Sequence, residues 1–130
     1  MSYYYTSVLR NLSFNEAIEK VTEELKKEGF GVVMEIDVSA TFKNKLNVDF
    51  RPYRILGTCN PPFAYRALEA EDKIGTMLPC NVVVQDLQNG TIEVTAVDPA
   101  KSMLAVENPT LADIAEEIRI KLKRVIDGLV

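Results

Sequence analysis

The last twenty-odd residues of this chain constrain it most. After Asn108-Pro109-Thr110, apolar side chains recur at three- and four-residue steps: Leu111, Ile114, Ala115, Ile118, Leu122, Val125, Ile126 and Leu129. At 3.6 residues per turn these positions form one stripe about five turns long, so a long helix must bury that face against a second layer. The candidates for that layer lie upstream. "YYYTSVL", "FGVVMEIDV", "YRILGTCN", "CNVVVQDL" and "TIEVTAV" are rich in β-branched and aromatic residues and read as five strands. The last two flank Gln88-Asn89-Gly90, a strong hairpin signal. "FGVVMEIDV" is apolar at most positions, which predicts a central place in the sheet.

Between the strands, helix signals are placed by their caps. Ser13-Phe14-Asn15-Glu16 is a capping box in which hydroxyl and carboxylate each satisfy an orphan backbone N–H. The helix it opens carries Phe14, Ala17, Ile18, Val21 and Leu25 on one face and ends at Gly29. "SATFKNKLNVDF" predicts a short helix capped by Ser39 and closed by Asn47. Pro61 and Pro62 suit the first turn of a helix in "PPFAYRALEAED", with Phe63, Ala67 and Ala70 as its buried stripe. Lys73 to Pro79 reads as irregular, and "SMLAVE" as one turn or a terminal strand.

Only the first strand-helix-strand unit has the length of an ordinary crossover; a hairpin and short links join the rest. A mostly antiparallel sheet with helices on one face follows, an α+β two-layer sandwich. At 130 residues the chain makes one domain, spanning 1–130, with no internal repeat and no linker.

Several function classes are excluded or disfavoured by composition. There is no histidine, which removes the commonest general base, the Ser-His and Cys-His pairs and most zinc nitrogen ligands. A net charge of −4 argues against nucleic acid as a partner. No apolar run approaches the ~18–20 residues of a membrane span. The segment "MSYYYTSVLRNL" lacks the pattern of a signal peptide, so the expected address is the cytoplasm, where two cysteines stay reduced.

Those two cysteines are each followed by asparagine, Cys59-Asn60 and Cys80-Asn81. Cys59 ends the third strand and Cys80 begins the fourth. If these strands are antiparallel neighbours, both dipeptides arrive at one edge of the sheet and a common pocket becomes possible. Cys59, Asn60, Cys80 and Asn81 are therefore the candidate ligand-binding residues. Three readings of the thiols stay open: small hydrophobes in a core; a ligand or soft-metal site of Cys59 and Cys80 helped by Met77 or Met103; and redox exchange, favoured by the helix that starts at Pro61 beside Cys59. Asn60 is read first as a helix cap, and Asn81 as a fixed polar contact in the pocket. Tyr3 and Tyr5 are expected on one face of the first strand, as packing or a dimer contact. Arg51, Arg54 and Arg66 lie near the motif, either as anion ligands or as solvated surface.

The stretch from Arg54 to Pro99 also resembles a known family. Gly57, Cys59, Asn60, Pro61 and Ala64, then Ile74, Gly75, Leu78, Pro79, Cys80, Asn81 and Val82, then Asp98-Pro99 match the core pattern of domain-of-unknown-function family 302. The resemblance implies a TATA-binding-protein-like β-α-β-sheet-α arrangement over the whole chain, and it implies no reaction or cofactor. With no acid-base pair at motif spacing, a binding or assembly protein is favoured over a thiol enzyme. A homodimer and a small ligand are the expected partners.

Overall fold

Five strands pair antiparallel throughout: β1 (Tyr4–Arg10), β2 (Gly31–Asp37), β3 (Tyr53–Cys59), β4 (Cys80–Asp86) and β5 (Thr91–Val97). In space they run β1-β5-β4-β3-β2. The helices are α1 (Phe14–Lys27), α2 (Val38–Leu46), α3 (Pro61–Ala70), the single turn α4 (Pro99–Ser102) and α5 (Pro109–Asp127), with a 3-10 segment at Asp72–Met77. The structure, a computed structural model, describes residues 2–130. It is the expected α+β two-layer sandwich.

Period-two alternation selects the sealed face of the sheet. Leu9, Leu56, Val82, Val84, Ile92, Val94 and Ala96 point to one side and are buried. Against them α1 lays Ala17, Val21 and Leu25, and α5 lays Ile118, Leu122, Val125 and Ile126, so the two amphipathic stripes close a single main core. A smaller cluster of Ala67, Ile74, Leu111 and Ile114 joins α3 to the start of α5.

The helix ends follow the sequence chemistry. Ser13 Oγ accepts from the Glu16 N–H at 3.1 Å while the Ser13 N–H donates to Glu16 Oε1 at 2.9 Å, the reciprocal capping box. Gly29, at φ +85°, ends α1 in the left-handed region that glycine tolerates best. Asn108 caps α5 by accepting from the N–H groups of Thr110 and Leu111, and its Nδ2 donates to Ala70 O at 2.9 Å. One amide thus fastens the start of α5 to the end of α3.

Some expectations are corrected. β2 is an edge strand, not a central one: Val33, Met34 and Ile36 are exposed, and a bulge between Val32 and Met34 interrupts its ladder with β3. Of its apolar run, Val32 packs against the core while Met34 and Ile36, paired with Gly57 and Ile55, stay on the open face. The cap of α2 is Asp37, not Ser39, because β2 turns directly into the helix; Asp37 Oδ1 accepts from the Ala40 N–H, and Ser39 Oγ donates to it as well. Asn47 closes α2 at φ 52°, as read. Lys73 to Met77 lies within the 3-10 segment. Of "SMLAVE", only Ser102 belongs to a helix, as the last residue of the turn that begins at Pro99.

Tyr3 lies outside β1 and packs edge-on against Tyr4, whereas Tyr5 turns inward. The Tyr5 hydroxyl donates to Asp98 Oδ2 at 3.1 Å and accepts from Arg119 at 3.0 Å. Asp98 is buried and also accepts from the Ala100 N–H. The chain Arg119–Tyr5–Asp98 therefore holds the Asp98-Pro99 corner between β1 and α5.

Candidate functional site

β3 and β4 are antiparallel neighbours, with Thr58 directly opposite Cys80 and Gly57 opposite Asn81. Both Cys-Asn dipeptides consequently reach the same end of the sheet. Gly57 is required there by close approach: an added Cβ would lie 2.7 Å from Pro79 Cγ and 3.1 Å from Met34 Cβ. Its missing side chain lets the Pro79 ring sit against β3.

Under this end lies a cavity of about 250 Å3. The sheet contributes Val33, Thr58, Cys59 and Cys80 to its wall, and the turn before β2 contributes Phe30; the start of α3 contributes Asn60, Phe63, Ala64 and Ala67. α5 closes the far side with Leu111, Ile114, Ala115 and Ile118, and Leu78, Pro79, Pro99 and Met103 complete it. Among the described residues no charged one lines the cavity.

Its few polar groups are already engaged. Thr58 Oγ1 donates to Cys80 O at 2.8 Å, an internal bond that uses the hydroxyl's one hydrogen and leaves it only an acceptor. Asn60 Nδ2 donates to Glu28 O at 3.0 Å and so ties the entrance of α3 to the turn after α1. Asn60 makes no side-chain cap on α3, contrary to the reading from sequence: Pro62 removes one of the two N–H groups a cap accepts from, and the amide is held by Glu28 O instead of turning to the other, that of Phe63. The Asn60 Oδ1 remains as an acceptor on that side chain.

The two dipeptides meet, but their side chains divide. Cys59, Asn60 and Cys80 line the cavity; Asn81 is exposed and lines a separate depression with Met77, Pro79, Cys80, Val97, Ser102 and Met103. Asn81 follows Cys80 on the strand, so alternation turns it to the other side of the sheet, where solvent satisfies its amide. Met77 lines the depression and Cys59 the cavity, so Cys59, Cys80 and Met77 do not share one wall. Among the described residues no group of three or more His, Cys, Asp or Glu gathers in metal-ligating range.

Both thiols are free and partly buried. Burial pushes the Cys80 thiol from its ordinary 9.0 up to about 11, and the neighbouring Cys59 adds to the shift. The direction opposes a thiolate, the form that attacks disulfides and binds soft metals. In a Cys59→Ser background, where burial, the larger cause of the shift, remains, alkylation of Cys80 is expected to keep accelerating, about tenfold per pH unit, from pH 8 to beyond pH 9. A plateau below pH 9 would show a normal or activated thiol. Because the folded state holds this proton more tightly than the unfolded chain, stability from this group is complete below about pH 9 and is lost progressively as pH rises to about 11.

The arginines do not converge on the site. Arg54 pairs with Glu35 at 2.9 Å and Asp37 at 3.4 Å, Arg66 pairs with Glu117 at 3.1 Å, and Arg51 donates to Gln85 while packing over Phe50. Arg66 and Lys121 do lie over the ring of Phe63, 5.2 and 5.8 Å from its centre, outside the apolar lining. Sequence reading missed the part of the wall that comes from Phe30, Val33, Pro99 and the first turns of α5, whereas Met103 was among its candidates. The signal for α5 was its stripe, whose N-terminal part carries more apolar surface than the sheet alone covers.

No helix among the described residues is long and apolar enough to cross a membrane. A comparison with curated proteins finds no match. Among solved structures, the crystal structure of an uncharacterized conserved DUF302 protein from Bacillus stearothermophilus is similar over 100% of both chains, with 34% sequence identity and a TM-score of 0.90. The family model described as "Domain of unknown function DUF302" matches residues 5–129. With Gly57, both Cys-Asn dipeptides and Asp98-Pro99 all built into one end of the sheet, the chain belongs to the DUF302 family, which has no assigned function.

Proposed function

We propose that this protein is a binding module for a small, uncharged, mainly apolar molecule held in the cavity between the Cys59/Cys80 end of the sheet, α3 and α5. The observation that carries the reading is the cavity itself: about 250 Å3, lined by residues such as Phe63, Leu78, Leu111 and Ile114, with no charged group in its wall. A dry apolar cavity of ~150 Å3 already takes up benzene, so this one holds a molecule of about ten heavy atoms. A carboxylate or ammonium would lose its hydration there without gaining a charged partner. Asn60 Oδ1 suits a ligand with one N–H or O–H donor. The raised pKa of Cys80 supports packing and contact as the role of that thiol over redox exchange. Two unpaired thiols suit a reducing compartment, which supports a cytoplasmic address.

Indole and naphthalene are suitable first probes, since both are flat and only indole carries a donor. Titrated into the protein and followed by amide NMR, they are expected to shift Phe63, Ala67, Ile114 and Ala115 saturably. A Kd of about 0.1–1 mM, or about −4 to −5.5 kcal/mol, is the expected range for such fragments. Shifts scattered over the surface, or none at these residues up to the solubility limit, would reject the reading.

A further inference from the structure

The two edges of the sheet differ in one respect that bears on assembly. β2 carries a bulge, the ion-paired Glu35 and Asp37, and an immediate turn into α2, the devices by which natural sheets blunt an edge. β1 has none of them. It keeps unbroken register with β5 from Tyr4 to Arg10, contains no proline, glycine or lysine, and holds one charge, Arg10, at its end.

Which backbone groups face outward follows from the ladder. The Asp98 N–H donates to Tyr3 O at 2.8 Å, and Tyr4 to Arg10 then pair in order with Val97 to Thr91. In an antiparallel pair alternate residues turn both polar groups to the neighbour, so Tyr5, Ser7 and Leu9 face β5. Tyr4, Thr6, Val8 and Arg10 turn theirs away from the sheet. Tyr4 and Val8 are also exposed as side chains, 39% and 40%.

We infer that β1 pairs antiparallel with β1 of a second copy of this chain, joining two five-stranded sheets into one. A two-fold axis through Ser7 sets Tyr4 opposite the partner's Arg10 and Thr6 opposite the partner's Val8, and about eight backbone hydrogen bonds close the ladder. The register is self-complementary. Each Arg10 meets an aromatic ring instead of its own copy, and no like charges oppose one another across the strands. The open face of the sheet is a poorer contact: Thr6, Thr95, Glu93 and Gln85 already hydrogen-bond across it or to the chain, and Phe50 and Arg51 lie over Tyr53.

Light scattering across a concentration series, combined with amide hydrogen exchange, tests the pairing. At high concentration the mass is expected to be about twice 14.6 kDa, with Thr6 and Val8 amides exchanging about tenfold or more slower than on dilution. Thr6→Pro removes an outward N–H, and Val8→Lys places a charge on the edge at an already exposed side chain; both are expected to give a folded single chain. A single-chain mass at every concentration, a doubled mass that survives either variant, or Thr6 and Val8 amides that exchange freely in the dimer would overturn the proposal.

Discussion

Ala67→Phe is expected to abolish uptake of indole while leaving the protein as stable as the parent or slightly more so. Ala67 sits on α3 with 4% exposure and lines the cavity across from Ile114 and Leu111, its neighbours in the second apolar cluster. A phenyl ring at this position occupies the space that the probe would fill, in contact with the same walls. Burying it gains apolar area, and filling an existing void commonly stabilises by about 0.5–2 kcal/mol. A general disruption of folding would lower the melting temperature and the binding together. Amide NMR titration with indole and a thermal melt therefore separate the two: loss of the saturable shifts with an unchanged or raised melting temperature is the expected pair of results. Retained binding would place the ligand elsewhere and sink the cavity assignment.

A second large effect is expected at Gly57. Its alanine variant places a methyl group 2.7 Å from Pro79 Cγ and 3.1 Å from Met34 Cβ. Neither neighbour yields cheaply, since one belongs to a closed ring and the other is bonded directly to the backbone. Overpacking of this kind costs about 1–3 kcal/mol, and the expected loss lies at the upper end of that range. For a chain of this size that corresponds to a melting temperature lowered by about 10 °C. Gly31, at the start of β2, has nothing within 4 Å of an added Cβ, so Gly31→Ala is the control and is expected to change stability by less than about 0.5 kcal/mol. Equal melting temperatures for the two variants, read by circular dichroism, would show that β3 and Pro79 separate without cost.

The elements that reading alone placed correctly are those whose signals are local. The capping box at Ser13 and Glu16, the Gly29 stop and the stripe of α5 depend on residues within a few turns of one another, and each appears in the structure as read. The meeting of Cys59-Asn60 with Cys80-Asn81 was legible because antiparallel pairing of adjacent strands brings one strand's end beside the next one's start. β2 was misplaced for the converse reason. Its valines, methionine and isoleucine describe apolar content, and content does not say how many layers cover a strand. Asn60 was misread because a cap is a local expectation: Pro62 leaves only the Phe63 N–H to accept from, and the amide turned instead to Glu28 O, thirty-two residues away in sequence.

Hydrophobic period and cap chemistry act over short spans, so the pair of layers and the end of the sheet where the two cysteines gather are written locally in the chain. The tertiary structure alone decided that Cys59 and Cys80 border a cavity and Asn81 does not, that α5 supplies its far wall, and that β1 is the unprotected edge. These are properties of how surfaces from distant segments face one another. A void exists where two apolar stripes fail to fill the space between them, and no single segment carries that information.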